Sequence, residues 1–244
     1  MKLLRPILLV LSLLSALLPF WVEAKNESSA EHGKNHSAPA YIDAKRFDSL
    51  RFLSPPPTGM EAEEEMRIVL QWQSIRTEAM AQKAIADADQ SIFNFSDVLG
   101  PLFNRQHLPL INYFFNGIYK TESALNRQGK NHWNRLRPPF QNATVKPVGE
   151  YTNEGSYPSG HSTFSWLAGI LLSDMVPEKK SELMLRARLM GLNRVIGGFH
   201  FPSDVEAGKI LAVVCLQEMK SYAQCQADFH AARQELRQAL HLAP

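Results

Sequence analysis

The sequence predicts an all-α fold, in which a single domain is built as a bundle of helices. Signals for β-strands are scarce after Pro57, and apolar residues recur at helical spacing in several long stretches. Proline or glycine separates most of these stretches. The 244 residues, 45% of them hydrophobic and 20% charged, have the composition of a globular protein with enough chain to bury one core.

The first 24 residues have the features of a secretory signal peptide. Lys2 and Arg5 give a positive start, residues 7–22 are almost wholly apolar, and Ala24 ends a suitable cleavage site. The alternative is a retained membrane anchor, but the apolar run is shorter than the ~20 residues that span a bilayer. We expect a cleaved signal, a periplasmic or secreted protein, and no stable membrane insertion of the mature chain.

Residues 25–45 are polar and have no helical periodicity, which predicts a flexible lead-in before a helical domain at 46–244. Ordered structure is expected from Phe47, and the prolines at 55–57 require an extended backbone. Gly129 is a candidate C-terminal cap for the second long helix, and Ser203 is a candidate N-cap for the fifth. The predicted helices cover residues 61–89, 110–127, 159–175, 180–195, 203–219 and 223–241.

Charge and cysteine content exclude other classes of protein. The formal net charge is +2 and no basic stripe occurs, so nothing predicts binding to nucleic acid. Cys215 and Cys225 are the two cysteines. On one continuous helix they would be ~15 Å apart, whereas a disulfide requires Cα atoms within ~7 Å. We expect two free thiols unless the chain turns near residues 221–222.

Three cations are candidates for binding a phosphate. Lys130 and Arg137 are seven positions apart, so they would share a face on a helix and could also converge from a loop, and Arg194 is the third. A guanidinium matches two phosphate oxygens at once, while a lysine acts as a point charge. Any one of these residues taken alone is more often a solvated surface charge.

The run Pro158-Ser159-Gly160-His161 opens a predicted helix. Ser159 is a natural N-cap, and Gly160 lets the backbone approach a ligand closely. The free N–H groups and the positive dipole at a helix N-terminus attract anions. His161 is therefore a candidate general acid beside a bound phosphate. The alternative is that Ser159 only caps the helix and His161 only packs.

His200 and Asp204 are four positions apart around the start of another predicted helix. A carboxylate at this distance can accept a hydrogen bond from one ring nitrogen and leave the other free to attack. The alternative is that Asp204 only favours the helix start through the dipole. Together the three blocks supply the cations, nucleophile and acid that phosphoryl transfer requires.

In order along the chain, these blocks resemble the tripartite signature of the type 2 phosphatidic acid phosphatase superfamily, which includes the vanadium haloperoxidases. The sequence is more similar to the bacterial class A non-specific acid phosphatases, through Gly155-Ser156-Tyr157, the segment His132–Arg135 and the prolines at 55–57. The resemblance covers about residues 50–208 and implies the helical fold of that superfamily. The blocks are Lys130-x6-Arg137-Pro138, Pro158-Ser159-Gly160-His161 and Arg194-x5-His200-x3-Asp204.

The resemblance also implies an activity, the hydrolysis of small phosphomonoesters with some transfer of phosphate to alcohols. His200 would form a phosphohistidine, Asp204 would orient it, and His161 would protonate the leaving alcohol and then activate water. It implies no metal or other cofactor and sensitivity to vanadate, and relatives often assemble as homo-oligomers. Because His161 must be protonated while His200 keeps one nitrogen free, we expect a bell-shaped pH dependence with an acidic optimum. The phosphate-binding residues would be Lys130, Arg137, Ser159, Gly160 and Arg194.

Some features leave alternatives open. Asn193 stands where the family usually has serine, and we expect it to tune the phosphate pocket or its surroundings. Arg135 is expected to support the pocket or to reach the substrate, and residues 98–106 and 141–154 are expected to line the outer pocket. The same blocks suit a vanadate-dependent haloperoxidase, which is usually longer, or a lipid or polyprenyl phosphate phosphatase, which is usually polytopic. A non-enzymatic phosphate-binding bundle is the fourth alternative.

Overall fold

The computed structural model describes residues 38–243. The predicted signal peptide and residues 25–37 of the predicted lead-in fall outside the described residues. Within 38–243 the elements are α-helices and short 3-10 helices, and no strand occurs there, which confirms the all-α prediction. The 3-10 helices are Ser49–Phe52, Ile92–Phe95 and Pro177–Lys179. The α-helices are α1 (Gly59–Ile75), α2 (Glu78–Ala86), α3 (Ser96–Leu99), α4 (Pro109–Trp133), α5 (Pro138–Gln141), α6 (Gly160–Met175), α7 (Lys180–Ile196), α8 (Pro202–Met219) and α9 (Ala223–Ala239).

Helix α6 lies at the centre of the bundle, where it packs against α7, α8 and α4. It is apolar on most of its surface, and its large side chains, such as Phe164 and Leu167, are buried. Small residues let its neighbours come close. A Cβ on Gly208 of α8 would lie 2.5 Å from the carbonyl oxygen of Ser159, so the two helices cross backbone to backbone at the start of α6. Burial therefore fixes the helix end that carries the second sequence block.

The segment before the first 3-10 helix is packed into the bundle, contrary to the flexible lead-in expected up to residue 45. Tyr41 is buried, its backbone N–H donates to Thr121 Oγ1 at 2.7 Å, and its hydroxyl donates to Asp228 Oδ2 at 2.8 Å. Its ring also contacts Phe114 of α4. These contacts with α4 and α9 are long-range, and the sequence around Tyr41 does not specify the partners.

Two predicted helix boundaries are wrong, one because of a local cap and one because of packing against another segment. The helix expected at 61–89 breaks after Ile75, because Thr77 caps a new helix by accepting from the Met80 N–H at 3.3 Å. Gly129 does not cap α4, which continues to Trp133 and ends at Asn134 in the left-handed conformation (φ 46°). Gly129 instead permits close packing, since a Cβ there would lie 2.5 Å from Pro158.

The start of α8 also differs from the prediction. The N-cap is Phe201, and Pro202 takes the first helical position, where its missing N–H costs nothing. Asp204 closes the first turn, because its Oδ2 accepts from the Phe201 N–H at 2.8 Å. Ser203 does not cap the helix; its N–H and hydroxyl donate to Glu65 of α1 at 2.6 and 2.9 Å.

The cysteines are free, as expected, although the chain does turn between them. Cys215 lies on α8 and Cys225 on α9, and both thiols are buried. Burial raises the pKa of each thiol, so both stay protonated and unreactive at neutral pH. Among residues 38–243, no helix combines the length and the apolar character needed to cross a membrane.

We expect Gly208→Ala to lower both the free energy of unfolding and the activity. Alanine gains about 1 kcal/mol of helix propensity, but its methyl group would press on the Ser159 carbonyl, and overpacking typically costs about 1–3 kcal/mol. Urea denaturation measures the change. Gly149→Ala is the control, because a Cβ there meets only Ile85, at 3.9 Å. Equal stability of Gly208→Ala and wild type would contradict the close crossing.

Candidate active site

The three sequence blocks meet at one end of the bundle, although they come from five different elements. Arg137 Nη1 lies 2.9 Å from His200 Nε2, and the Ser159 N–H donates to the Asp204 carbonyl at 2.9 Å. The eight residues are Lys130 near the end of α4, Arg137 just before α5, Ser159, Gly160 and His161 at the start of α6, Arg194 near the end of α7, and His200 and Asp204 around the start of α8. Lys130 and Arg137 do not share a helix face, since α4 ends at Trp133 between them.

The tautomer of His200 follows from its two neighbours. Its Nδ1 lies 3.3 Å from Asp204 Oδ2, and both side chains are buried. A guanidinium can only donate, so the Arg137 contact requires an unprotonated Nε2. The ring hydrogen therefore lies on Nδ1, facing the carboxylate, and the lone pair of Nε2 points into the site. Burial lowers the pKa of His200 well below 6.5, and Arg137 and Arg194 lower it further.

The Asp204 carboxylate is saturated with hydrogen bonds. Oδ2 accepts from the Ser156 hydroxyl at 2.5 Å and from the Phe201 N–H, while Oδ1 accepts from Arg135 Nη1 at 2.7 Å. Burial raises its pKa above the usual value, and the Arg135 charge and these hydrogen bonds oppose that rise. Asp204 is thus held in one orientation toward His200.

Arg135 supports the pocket through Asp204. Its guanidinium also donates to Glu65 Oε2 at 2.7 Å and to Ser203 Oγ at 2.8 Å, and it stacks over the Phe201 ring at 4.1 Å. These contacts hold the Arg135 guanidinium against Oδ1 of Asp204. The sequence alone does not distinguish Glu65, because this residue is one of several glutamates on an amphipathic helix.

Three cations face the open side of the site. Arg194 is buried, its guanidinium stacks over Phe199 at 4.2 Å, and its Nε and Nη1 have no hydrogen-bond partner. Arg137 Nε donates to the Glu154 carbonyl at 3.2 Å, and the Lys130 ammonium lies 3.3 Å from the Glu154 carboxylate. A buried donor without a partner is costly, so the Arg194 nitrogens indicate a place for an acceptor.

Burial and mutual repulsion act on the charge states of these cations. Burial lowers the pKa of Arg194 to about 10, and the Arg137 charge adds to this effect. Burial also lowers the pKa values of Arg137 and Lys130, and for Lys130 the Arg137 charge contributes as well. Without an anion, a cluster of like charges is under electrostatic repulsion. A dianion between the three side chains would relieve it.

The start of α6 faces this cluster. Ser159 is the N-cap, as expected, and its Oγ accepts from the Ser162 N–H at 3.4 Å. Its hydroxyl hydrogen remains available to an acceptor. Gly160 takes the first helical position. The first N–H groups of a helix have no partner within it, so they add donors and a positive dipole end to the three cations.

His161 lies in the first turn of α6 and is partly buried. Its Nε2 is 2.8 Å from the carbonyl oxygen of Ala88, which can only accept, so Nε2 carries the hydrogen. Burial lowers its pKa well below 6.5, and the Arg194 charge lowers it further, while the Ala88 contact opposes the shift. The ring is neutral without a ligand, with Nδ1 as its available nitrogen.

A cavity of about 370 Å³ is lined by Ala88, whose carbonyl oxygen contacts His161. Arg105 also lines it, whereas none of the eight site residues does, so the expectation that residues 98–106 and 141–154 line the outer pocket stays a prediction. Its wall combines amide, aromatic and cationic side chains, and the residues that line it are 88–92, Arg105, Asn112, Phe115, Asn116, Tyr119 and Phe164. Such a wall suits a polar molecule with a flat apolar part.

Glu122 is a buried carboxyl group behind this end of α6. Its Oε1 accepts from Gln90 at 3.1 Å and its Oε2 from Asn126 at 2.6 Å. Its Oε2 would lie 3.7 Å from a Cβ on Gly160, so it borders the start of α6. Burial raises the pKa of Glu122 to about 8, although the two amides and Lys130 oppose the rise.

We expect Glu122 to make stability fall as pH rises. Between its unfolded pKa, ~4.3, and about 8, the folded protein keeps a proton that the unfolded chain releases. The free energy of unfolding then decreases by up to about 1.4 kcal/mol per pH unit. Glu122→Gln cannot titrate, so its curve should be flatter by this amount. Urea denaturation from pH 5 to 8 measures both; parallel curves would contradict the raised pKa.

Comparisons with known proteins agree with this geometry. A profile of the PAP2 superfamily matches residues 110–226. The chain is 31% identical to a non-specific acid phosphatase of Salmonella typhi in an alignment of 232 positions, which covers 88% of each chain. It is 32% identical to that of Salmonella typhimurium over 203 residues, 76% of this chain and 79% of that one. The chain belongs to the non-specific acid phosphatases of the PAP2 superfamily. The family predicted from the three blocks is therefore confirmed, and the relatives support phosphatase activity.

Other relatives of this non-specific acid phosphatase are more distant. The acid phosphatase of Zymomonas mobilis is 28% identical over 202 residues, 79% of this chain and 76% of that one. A transmembrane PAP2-type phosphatidylglycerolphosphate phosphatase from Bacillus subtilis is 22% identical, with a TM-score of 0.49, over 67% of this chain and 86% of that one. A bacterial vanadium-dependent iodoperoxidase is 16% identical, with a TM-score of 0.47, over 70% of this chain and 52% of that one.

Proposed function

We propose that the protein is an exported acid phosphatase that hydrolyses small phosphomonoesters through a phosphohistidine on His200, without a metal ion. The observation that carries this proposal is the Arg137–His200 contact, which leaves the Nε2 lone pair directed into a cluster of cations. The two unpartnered nitrogens of Arg194 support an anionic ligand at the same place. Export rests on the sequence of residues 1–24 alone.

In the first step the phosphate displaces the Arg137–His200 contact. Its non-bridging oxygens accept hydrogen bonds from Arg137, Arg194 and Lys130 and from the start of α6. Nε2 of His200 then attacks phosphorus, and the bond between phosphorus and the ester oxygen breaks. The leaving oxygen takes a proton from Nδ1 of His161. Asp204 stabilises the positive charge that develops on the His200 ring, because it accepts from Nδ1–H.

In the second step His161, now neutral, removes a proton from a water molecule. The water oxygen attacks phosphorus, the bond between phosphorus and Nε2 breaks, and the lone pair returns to His200. An alcohol in place of water gives transfer of the phosphoryl group by the same route. This step returns a proton to Nδ1 of His161. After phosphate leaves, the ring in the ligand-free site is neutral again, so it regains the proton when the next substrate binds. A bound dianion favours this protonation, because it offsets the Arg194 charge that lowers the pKa of His161.

We expect His200→Ala to lose at least ~1000-fold of kcat on p-nitrophenyl phosphate, since no other group replaces the nucleophile. Release of p-nitrophenolate measures the rate. Rapid acid-free quenching of the wild type with labelled substrate should also trap a phosphoenzyme that is labile to acid and stable to base. Activity of His200→Ala close to that of wild type would overturn the assignment.

His107→Gln is the matched control for this experiment. His107 is exposed and contacts Asn104 away from the site, so its variant should keep full activity. Vanadate tests the alternative of a haloperoxidase with the same protein samples. A phosphatase is inhibited by it, whereas a haloperoxidase loaded with vanadate oxidises halide when hydrogen peroxide is added.

The pH dependence of kcat/KM should be bell-shaped with an acidic optimum. The rate falls at low pH because protonation of Nε2 removes the His200 lone pair, and the lowered pKa of His200 places this limb below pH 6.5. It falls at high pH because His161 loses the proton that the leaving group needs. Rates of hydrolysis of an alkyl phosphate between pH 3 and 9 test both limbs. A rate that rises steadily to alkaline pH would contradict the two roles.

A further inference from the structure

The segment that follows α2 holds a buried carboxylate that phosphoryl transfer does not use. Asp87 is 2% exposed and accepts three hydrogen bonds from α7. Two come from Arg186, at 2.9 and 2.6 Å, and one from Asn193 Nδ2, at 2.7 Å. Arg186 is itself fixed by Asp97, at 2.8 Å. Three donor nitrogens on α7 thus hold Asp87, at the C-terminal end of α2, in place.

This clamp determines the position of the carbonyl group that His161 contacts. Ala88 follows Asp87 directly, and its N–H donates to the Ile85 carbonyl at 3.0 Å. The Asp87 N–H donates to the Lys83 carbonyl at 3.1 Å. The turn is therefore fixed from within by its backbone and from α7 by the carboxylate. Its Ala88 carbonyl accepts from His161 Nε2 at 2.8 Å.

The carbonyl contact decides which nitrogen of His161 can handle the catalytic proton. With Nε2–H committed to Ala88, only Nδ1 can gain a proton and give it to a leaving group. If the carbonyl moved by an ångström, the ring could rotate or change tautomer, and the proton would be presented in the wrong direction. Misplacement on this scale costs a large part of a catalytic contribution.

We propose that Asn193 is a positioning residue for proton transfer by His161, acting through Asp87 and the Ala88 carbonyl. The inference rests on the proposed role of His161 as the general acid. Asn193 is well suited to this task because its amide is neutral, reaches the carboxylate and adds no charge beside Arg194. A serine at this position is shorter and would leave Asp87 with the two Arg186 contacts alone. The asparagine at 193, where the family usually has serine, would therefore act on the proton donor His161.

The leaving group of the substrate separates this proposal from a purely structural role. An alkyl phosphate requires protonation of its leaving oxygen, whereas 2,4-dinitrophenyl phosphate releases a stable anion without it. The kcat/KM value reports the first irreversible step, the transfer to His200, for either substrate. We expect Asn193→Leu and Asn193→Ser to lower kcat/KM for glycerol phosphate by ~10- to 100-fold and to change the value for 2,4-dinitrophenyl phosphate by less than ~3-fold.

Two controls complete the test. Ser173→Ala removes a buried hydrogen bond to Gly169 at the far end of α6, so it matches the loss of stability and should affect the two substrates equally. Asn193→Leu in a His161→Asn background should cause no further loss with glycerol phosphate, because a residue that acts through His161 has no effect once that ring is gone. The Asn193→Ser variant keeps a polar group and serves if Asn193→Leu folds poorly.

Each outcome decides between the two proposals. Equal losses for both substrates in the Asn193 variants, or additive losses in the double variant, would overturn the role of Asn193. If His161→Asn itself shows no dependence on the leaving group, the acid assignment fails and the role of Asn193 fails with it. Trapping of the phosphoenzyme in Asn193→Leu tests the His200 chemistry separately, and we expect it to form with 2,4-dinitrophenyl phosphate as in wild type.

Discussion

The buried carboxylate of Asp204 is the group on which the rest of the site depends. The carboxylate contacts His200, Ser156, Arg135 and the first turn of α8. The backbone carbonyl of the same residue accepts from the Ser159 N–H at the start of α6. A charge this deeply buried is tolerable only when its hydrogen bonds are complete, and here they come from several parts of the chain. The same contacts therefore stabilise the fold and orient the nucleophile. Removing any one partner would leave the carboxylate partly unsatisfied and His200 less constrained.

Unlike the Asp204 carboxylate, the three cations need a ligand to complete their interactions. Besides burial, the Arg137 charge lowers the pKa values of both Arg194 and Lys130, and two nitrogens of Arg194 have no acceptor. This arrangement stores unfavourable electrostatic energy, and the surrounding bundle provides the stability to hold it in place. A bound dianion would reduce the repulsion between the cations and accept hydrogen bonds from Arg194, which favours phosphate over neutral ligands. It also links substrate binding to proton uptake, because the charges that the phosphate neutralises are those that lower the pKa of His161.

Much of the fold could be predicted because helix formation depends on nearby residues. Periodicity and capping located α6 and α7 to within a residue, and the residues of the three blocks lie together at one end of the bundle. One error occurred where a distant contact overrides a local preference, since Gly129 has the sequence features of a helix cap, yet it serves as a packing surface for Pro158. No local pattern could have indicated this result. In contrast, local signals were overlooked at the Thr77 cap and at Tyr41 and Ile42, which are apolar and buried.

The sequence by itself determined which groups are available: the cations, the two histidines, the carboxylate and the order in which they follow one another. Only the tertiary structure decided how each is held. Glu65 lies 70 positions from Arg135, and Asp87 lies 106 positions from Asn193, so these pairs exist only after the helices pack. The tautomers of His200 and His161 likewise depend on Arg137 and on the Ala88 carbonyl. The physical reason is that a ring nitrogen takes or gives up its hydrogen according to its neighbour in space, and those neighbours are brought by folding.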